Sequence, residues 1–247
     1  MGVWGHGILQ NDSVQDDLCE VIQGIYGDVM ALGKEPANSK TVARLAAGVG
    51  LLLQLSATTW FSEEGEYWSE LREVLARHAP GFAAVSPEAR RILADVLAGK
   101  GEELAARDAL PDARLSAALF AKDLQGLMME RPFGHREPAL FTDPEAARYV
   151  QEVADRLVKV VDAGVTHDDM VEDPCREADF IAALSVLLVL EPCRVDPGRF
   201  ASWRERFHKI WAEAQPADPA EAEFFARYHA CLDQALRIGI DRFSAAS

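Results

Sequence analysis

Ser86-Pro87, Asp143-Pro144, Asp173-Pro174, Asp196-Pro197 and Asp218-Pro219 each set a side-chain oxygen directly before a proline that opens a helix-like apolar pattern. The oxygen accepts from backbone N–H groups that have no partner in the first helical turn. Proline has no N–H to leave unpaired there, and its fixed φ suits the first helical position. Asp218 with Glu221 three residues on also has the form of a capping box. Sustained apolar–polar alternation is missing, as are the Asn-Gly and Asp-Gly dipeptides of tight hairpins. The chain is therefore predicted to be all-α.

Apolar spacing fills in the helices between these starts. Val14, Leu18, Ile22 and Ile25 share one face of a first helix over Asp12–Leu32, and Ser39–Thr59 is apolar almost all round, as a central helix would be. Trp68, Leu71 and Leu75 mark a third helix, Ile92, Leu93, Val96 and Leu97 a fourth, and Leu115, Leu119, Leu124, Leu127 and Met128 a fifth. Tyr149, Val153, Leu157 and Val160 stripe a sixth, and Phe180–Leu190 is a second all-apolar segment. Phe207, Ile210 and Trp211, then Phe224, Phe225, Tyr228, Leu232 and Leu236, mark the last two, giving about nine helices in a bundle. Gly99-Lys100-Gly101 reads as a helix end.

A shift of 135 residues lays Val14, Leu18, Ile22 and Ile25 on Tyr149, Val153, Leu157 and Val160. It also lays Leu51–Leu53 and Leu55 on Val186–Leu188 and Leu190, and Trp68 on Trp203. The order of amphipathic helix, buried helix and Trp-led helix thus recurs without a gap. Two tandem repeats, 1–131 with a Gly/Trp arm and 132–247, packed as one unit, would account for it, with Pro132–Thr142 as the joint. Chance register between amphipathic helices is the competing account.

At 247 residues the chain can bury a sizeable core as one large domain or two modest ones. Forty acidic residues against 25 basic ones give a formal net charge of −15. With no basic stripe in view, such a surface repels phosphate backbones, so no nucleic acid is expected as partner and a basic protein suits the charge. Cys19, Cys175, Cys193 and Cys231 form no Cys-x-x-Cys pair and read as reduced, mostly buried thiols. No basic region precedes an apolar run at the N-terminus, and His6 stands where an N-myristoylation signal has Ser or Thr. The apolar runs are too short to span a bilayer, so no membrane contact and a cytoplasmic location are expected. Oligomeric state is not legible.

Met1-Gly2-Val3-Trp4-Gly5-His6-Gly7-Ile8-Leu9-Gln10-Asn11-Asp12 is the most distinctive stretch. Its glycines let the backbone turn tightly, so Trp4 and Ile8 can tuck against the first helix while Asn11 or Asp12 caps it. This opening resembles that of the bacterial domain of unknown function 4259 family, whose members begin Met-Gly-x-Trp-Gly-x-Gly and continue into Asn/Asp-Asp and an amphipathic helix. Leu51–Trp60 and Ser86–Leu93 are similar to later helices of that family, so the resemblance covers residues 1–110. The longer spacing between Trp60 and Ser86 and the long second half depart from it. The resemblance implies a helical fold and brings no catalytic residue.

Candidate chemistry is sparse. Trp4, His6, Asn11, Asp12 and Asp16 form the candidate binding set: an imidazole and carboxylates at a helix start, with Trp4 as a partner anchor. Against this, Trp4 fits the core and His6 a surface or capping place. His167, Asp168 and Asp169, within Thr166–Asp173, offer metal-compatible donors, yet match neither an EF-hand loop nor a His-Glu-x-x-His helix. A solvated loop whose acids complement the next helix dipole explains them more simply. Asp12, Asp16, Asp17 and Glu20, and Glu63, Glu64, Glu66 and Glu70, lie opposite apolar stripes and are expected to be solvated. His78, His135, His208 and His229 are scattered, with His208 and His229 on mainly structural helices. No Gly-x-Ser-x-Gly elbow or phosphate-cradling loop is present, no cofactor is expected and no catalytic residue is assigned. The expectation is a non-catalytic acidic module that binds a basic partner, as immunity proteins do. The alternative is a small-molecule or metal-binding enzyme using His6 or the His167 segment.

Overall fold

Asp143 Oδ1 accepts from the Glu145 N–H at 2.8 Å, Asp196 Oδ1 from Gly198 at 2.9 Å, and Ser86 Oγ from Ala89 at 3.2 Å, so these prolines open helices as their capping partners require. The computed structural model of the protein describes residues 12–55, 65–106, 136–164, 174–213 and 219–245. The helices are α1 (Asp12–Leu32), α2 (Ser39–Leu55), α3 (Gly65–His78), α4 (Pro87–Asp95), α5 (Gly101–Ala106), α6 (Pro144–Gly164), α7 (Pro174–Val189), α8 (Pro197–Glu213) and α9 (Pro219–Ala245). No strand occurs among the described residues, and the fold is all-α. The expected fifth helix, Leu115–Met128, lies outside them, as do residues 56–59 of the second.

α4 and α5 are one kinked helix joined through a π turn, Val96–Lys100, so eight helical rods are described. Gly99 sits there at φ 90°, a left-handed backbone that glycine adopts without strain. The Gly99-Lys100-Gly101 segment was expected to end a helix. It bends one instead, because Gly101 returns to helical angles at once.

α2 and α7 are the buried centre. Every residue of α2 from Leu45 to Leu55 is buried, and so is α7 from Phe180 to Leu188. α1 packs against both α2 and α7, and α6 does the same from the other side. Gln54 Nε2 of α2 donates to the Val189 carbonyl of α7 at 3.2 Å, tying the centre across. α4, α5 and the 3-10 turn Ala79–Ala84 pack on α2, α3 packs on that turn, on the Val96–Lys100 kink and on α1, and α8 and α9 pair with each other and rest on α7 through α9. The Val29 side chain of α1 fills the space where a Cβ on Gly48 of α2 would stand, at 2.4 Å, so the two helices approach closely.

Helix bounds follow the 135-residue shift closely: α2 moves onto 174–190 against the observed Pro174–Val189, and α3 onto 200–213 against Pro197–Glu213. The packing pairs exchange in the same way, α1 with α2 matching α6 with α7, and α1 with α7 matching α6 with α2. Gln54 and Val189, themselves one shift apart, meet in the centre. The segment expected to be a joint also packs: Pro138–Phe141 forms a 3-10 turn whose buried Phe141 ring covers Gly50 of α2.

No described helix is long and apolar enough to cross a membrane. Cys19 and Cys231 are buried and Cys193 is half-buried, none of the three in a disulfide, and burial pushes the Cys193 thiol up to about 11. An unreactive thiol is the result.

Candidate functional site

Most of the sequence-chosen positions fall outside the described residues: Trp4, His6, Asn11, His167, Asp168 and Asp169 are not among them. Asp12 is the first residue of α1, and Asp16 is exposed on the same helix. What the structure does assemble are three polar clusters at helix seams.

The first joins α1 to α7. Asp17 was expected on a solvated face, but α7 packs alongside α1 and Asp17 is half-buried there. Burial, then the charges of Asp179, Glu20 and Asp16, push its carboxyl up to about 7. Like charges gathered this way disfavour the ionised form. The stripe rule applied to α1 alone could not see this, since it knows nothing of which helix flanks the polar side.

The second cluster lies on the opposite seam, where α2 meets α6. Arg44 donates from both terminal nitrogens to Glu152, one of the bonds being 3.1 Å, and its guanidinium lies 5.3 Å from the centre of the Tyr149 ring. Arg44 is mostly buried, and the fork geometry suits a carboxylate. Hydrogen bonding to Arg44 holds the Glu152 carboxyl below its ordinary range. Nearby, the Tyr149 hydroxyl donates to Asp28 of α1 at 3.1 Å, and Arg156 pairs with the same carboxylate. Burial first, and then Asp28, push the Tyr149 phenol up, so it stays a neutral donor.

The third cluster clamps α8 to α9. Asp233 is 9% exposed and receives Arg204 Nε at 2.5 Å, His208 Nε2 at 2.7 Å and Arg237 Nε at 2.9 Å. Burial raises the Asp233 carboxyl, but hydrogen bonds from Arg204 and His208 and the charge of Arg237 outweigh it and leave it lowered. His229 stacks on Phe207 at 4.8 Å, with its ring 5.0 Å from that of His208 and 5.6 Å from Trp211. Burial and His208 lower the His229 imidazole, against the opposing pull of Asp233.

Sequence reading left these histidines scattered, although the signal was present. Arg204, His208 and Trp211 sit four and three apart on α8, and His229, Asp233 and Arg237 sit four apart on α9. Each is a polar stripe at helical spacing; their meeting is a tertiary fact. Arg204 Nη2 also reaches Oδ2 at 3.4 Å, so both carboxylate oxygens are engaged by side chains of α8 and α9 and the arrangement works as a clamp. Among the described residues, no three His, Cys, Asp or Glu side chains converge as a metal site.

No family model, no curated protein and no solved structure matches this chain.

Proposed function

We propose that the chain is a non-catalytic, acidic interaction protein that takes a basic protein as partner, built from two tandem helical units. Neutralising a basic toxin, as an immunity protein does, is one concrete form of this role. The likeness of the opening to the family of unknown function 4259 belongs to the same reading and adds no activity to it.

The observation that carries the reading is how charge is distributed. Arg44, Arg136, Arg156, Arg199, Arg204 and Arg242 are all engaged with carboxylates of this same chain. Against a net charge of −15, this leaves carboxylates such as Asp16 and Glu20 facing outward in excess. Among the described residues, Val160 is the large apolar side chain left exposed, so steering by charge suits this surface better than an apolar dock. The matching helix bounds of the two halves support the tandem part.

The test is capture on the immobilised full-length chain from cells of its source at low salt. The reading expects a basic protein that is released as the Debye length shortens and that binds less to an Asp16→Lys, Glu20→Lys variant. No captured protein, or capture indifferent to salt and to charge reversal, contradicts it.

A further inference from the structure

The α8–α9 clamp gathers more positive charge than Asp233 can match. Arg204 and Arg237 are permanent cations, set against one carboxylate whose two oxygens are both engaged. Into this cluster α8 and α9 each bring an imidazole, His208 and His229, with ring centres 5.0 Å apart. His208 Nε2 faces Asp233 at 2.7 Å, whereas His229 makes its contacts with the faces and edges of rings. It lies 15° from parallel on the fully buried Phe207, at 4.8 Å, and edge-on to Trp211 at 5.6 Å.

We propose that His229 is an acid-operated release for the α8–α9 hairpin, capping Phe207 while neutral and loosening the seam once it takes a proton. The proton adds a cation beside His208 and in the same cluster as Arg204 and Arg237, where Asp233 has no oxygen left to receive it. The other charged side chains near this part of α8, Glu205, Arg206 and Lys209, are exposed. On α9, Glu223 and Asp241 are exposed and Arg242 reaches carbonyls of α7. α6 brings Asp162, which is taken by Arg199 and Trp203, and among the described side chains α7 brings Asp179, which is exposed. Of these carboxylates, Asp233 is the one that acts on His229.

The sign follows from the direction in which the imidazole is moved. Burial first, and then His208, hold His229 below the ordinary 6.5, and Asp233 offsets them only in part. The folded chain therefore takes up this proton less readily than the unfolded one. The contribution of neutral His229 is fully present above pH 6.5 and is lost as pH falls from there through the lowered value. Loosening begins where Phe207 and Trp211 meet the ring, at the end of the hairpin away from Arg242. Acid thereby uncovers aromatic surface that is closed near neutral pH.

Imidazole NMR titration of the full chain tests this directly, with His229→Gln used to assign the signal. The release predicts a His229 midpoint below 6.5 in the wild type, rising towards 6.5 in His208→Gln, which removes the neighbouring imidazole. Each unit by which the midpoint lies below 6.5 allows about a tenfold loss of amide protection in acid. That loss is expected across Phe207–Trp211 and His229–Asp233 between about pH 8 and about pH 5. It is not expected in His229→Phe, which keeps a ring on Phe207 and takes no proton. A His229 midpoint at or above 6.5, or one unmoved by His208→Gln, overturns the proposal. So does an equal loss of protection in the wild type and in His229→Phe. Should His229→Phe fail to fold, the wild-type and His208→Gln titrations decide.

Discussion

The α2–α6 and α1–α7 seams correspond under the 135-residue shift, yet their carboxyls respond to pH in opposite senses. Arg44 lowers the Glu152 carboxyl, so that pairing is present above the ordinary glutamate range and is lost as pH falls through the lowered value. Asp17 is raised, so its contribution is fully present below pH 3.8 and fades as pH rises through about 7. The lesson is that packing fixes which side chains a seam encloses, while their identities fix how the seam answers to pH. The apolar layers beneath are alike: α2 and α7 are buried along nearly their whole described lengths.

The sharpest way to probe that shared layer is at Leu45 and Phe180, which the shift relates and which are both fully buried. Phe180→Ala is expected to lose about 3–5 kcal/mol in urea unfolding, and Leu45→Ala about 2–5 kcal/mol. Phe180 also fills the space against Gly164 of α6, where a Cβ would lie 2.8 Å from its own, so little can collapse into the gap. If one truncation proves nearly neutral while the other is severe, the centre belongs to one half alone and the comparison fails.

Outside the centre, α8 and α9 are joined by an ion cluster. Asp233→Ala leaves Arg204, His208 and Arg237 facing one another, and is expected to cost about 1–3 kcal/mol near neutral pH. That cost shrinks only below the ordinary aspartate value of 3.8, as the lowered carboxyl takes up its proton. Denaturant unfolding at pH 7 and at about pH 2 measures both, and an equal loss at the two values would mean that charge is not what clamps α8 to α9.

Arg44→Ala comes next, at about 1 kcal/mol, since Glu152 keeps 44% of its side chain in water and is screened accordingly. The loss should fade as pH falls through the lowered Glu152 value. Smallest is Ser86→Ala, which removes one capping bond at the start of α4 and should cost roughly 0.5–1 kcal/mol, with Ser86→Gly costing less. A larger loss from Ser86→Gly than from Ser86→Ala would show that the helix start depends on backbone stiffness rather than on the cap.

Helix starts were the most legible part of this chain because proline and its capping neighbour act within a single turn. Asp12–Leu32 was read to its ends from one apolar stripe, and Ser39 likewise, capped by Asn38 Oδ1 accepting from Thr41 at 2.9 Å. The kink at Gly99 was missed because a break and an end share the same glycine signal. The clusters were invisible for a different reason. Asp17 comes to lie beside α7, and His208 meets Asp233, only after helices distant in sequence have packed, and periodicity within one helix says which way a side chain faces but not what it faces. The candidate residues of the opening motif and of Thr166–Asp173 lie outside the described residues, so the structure places a different set of polar groups on view.

The opposite response of the two seams is tested most directly by site-resolved amide hydrogen exchange of the wild-type chain between pH 5 and pH 8, corrected for intrinsic rates. The prediction is that protection falls with rising pH over the first turns of α1 and the facing part of α7, while α2 and α6 around Arg44 and Glu152 hold theirs. Parallel behaviour of the two seams, or a loss of protection confined to α2 and α6, would contradict it.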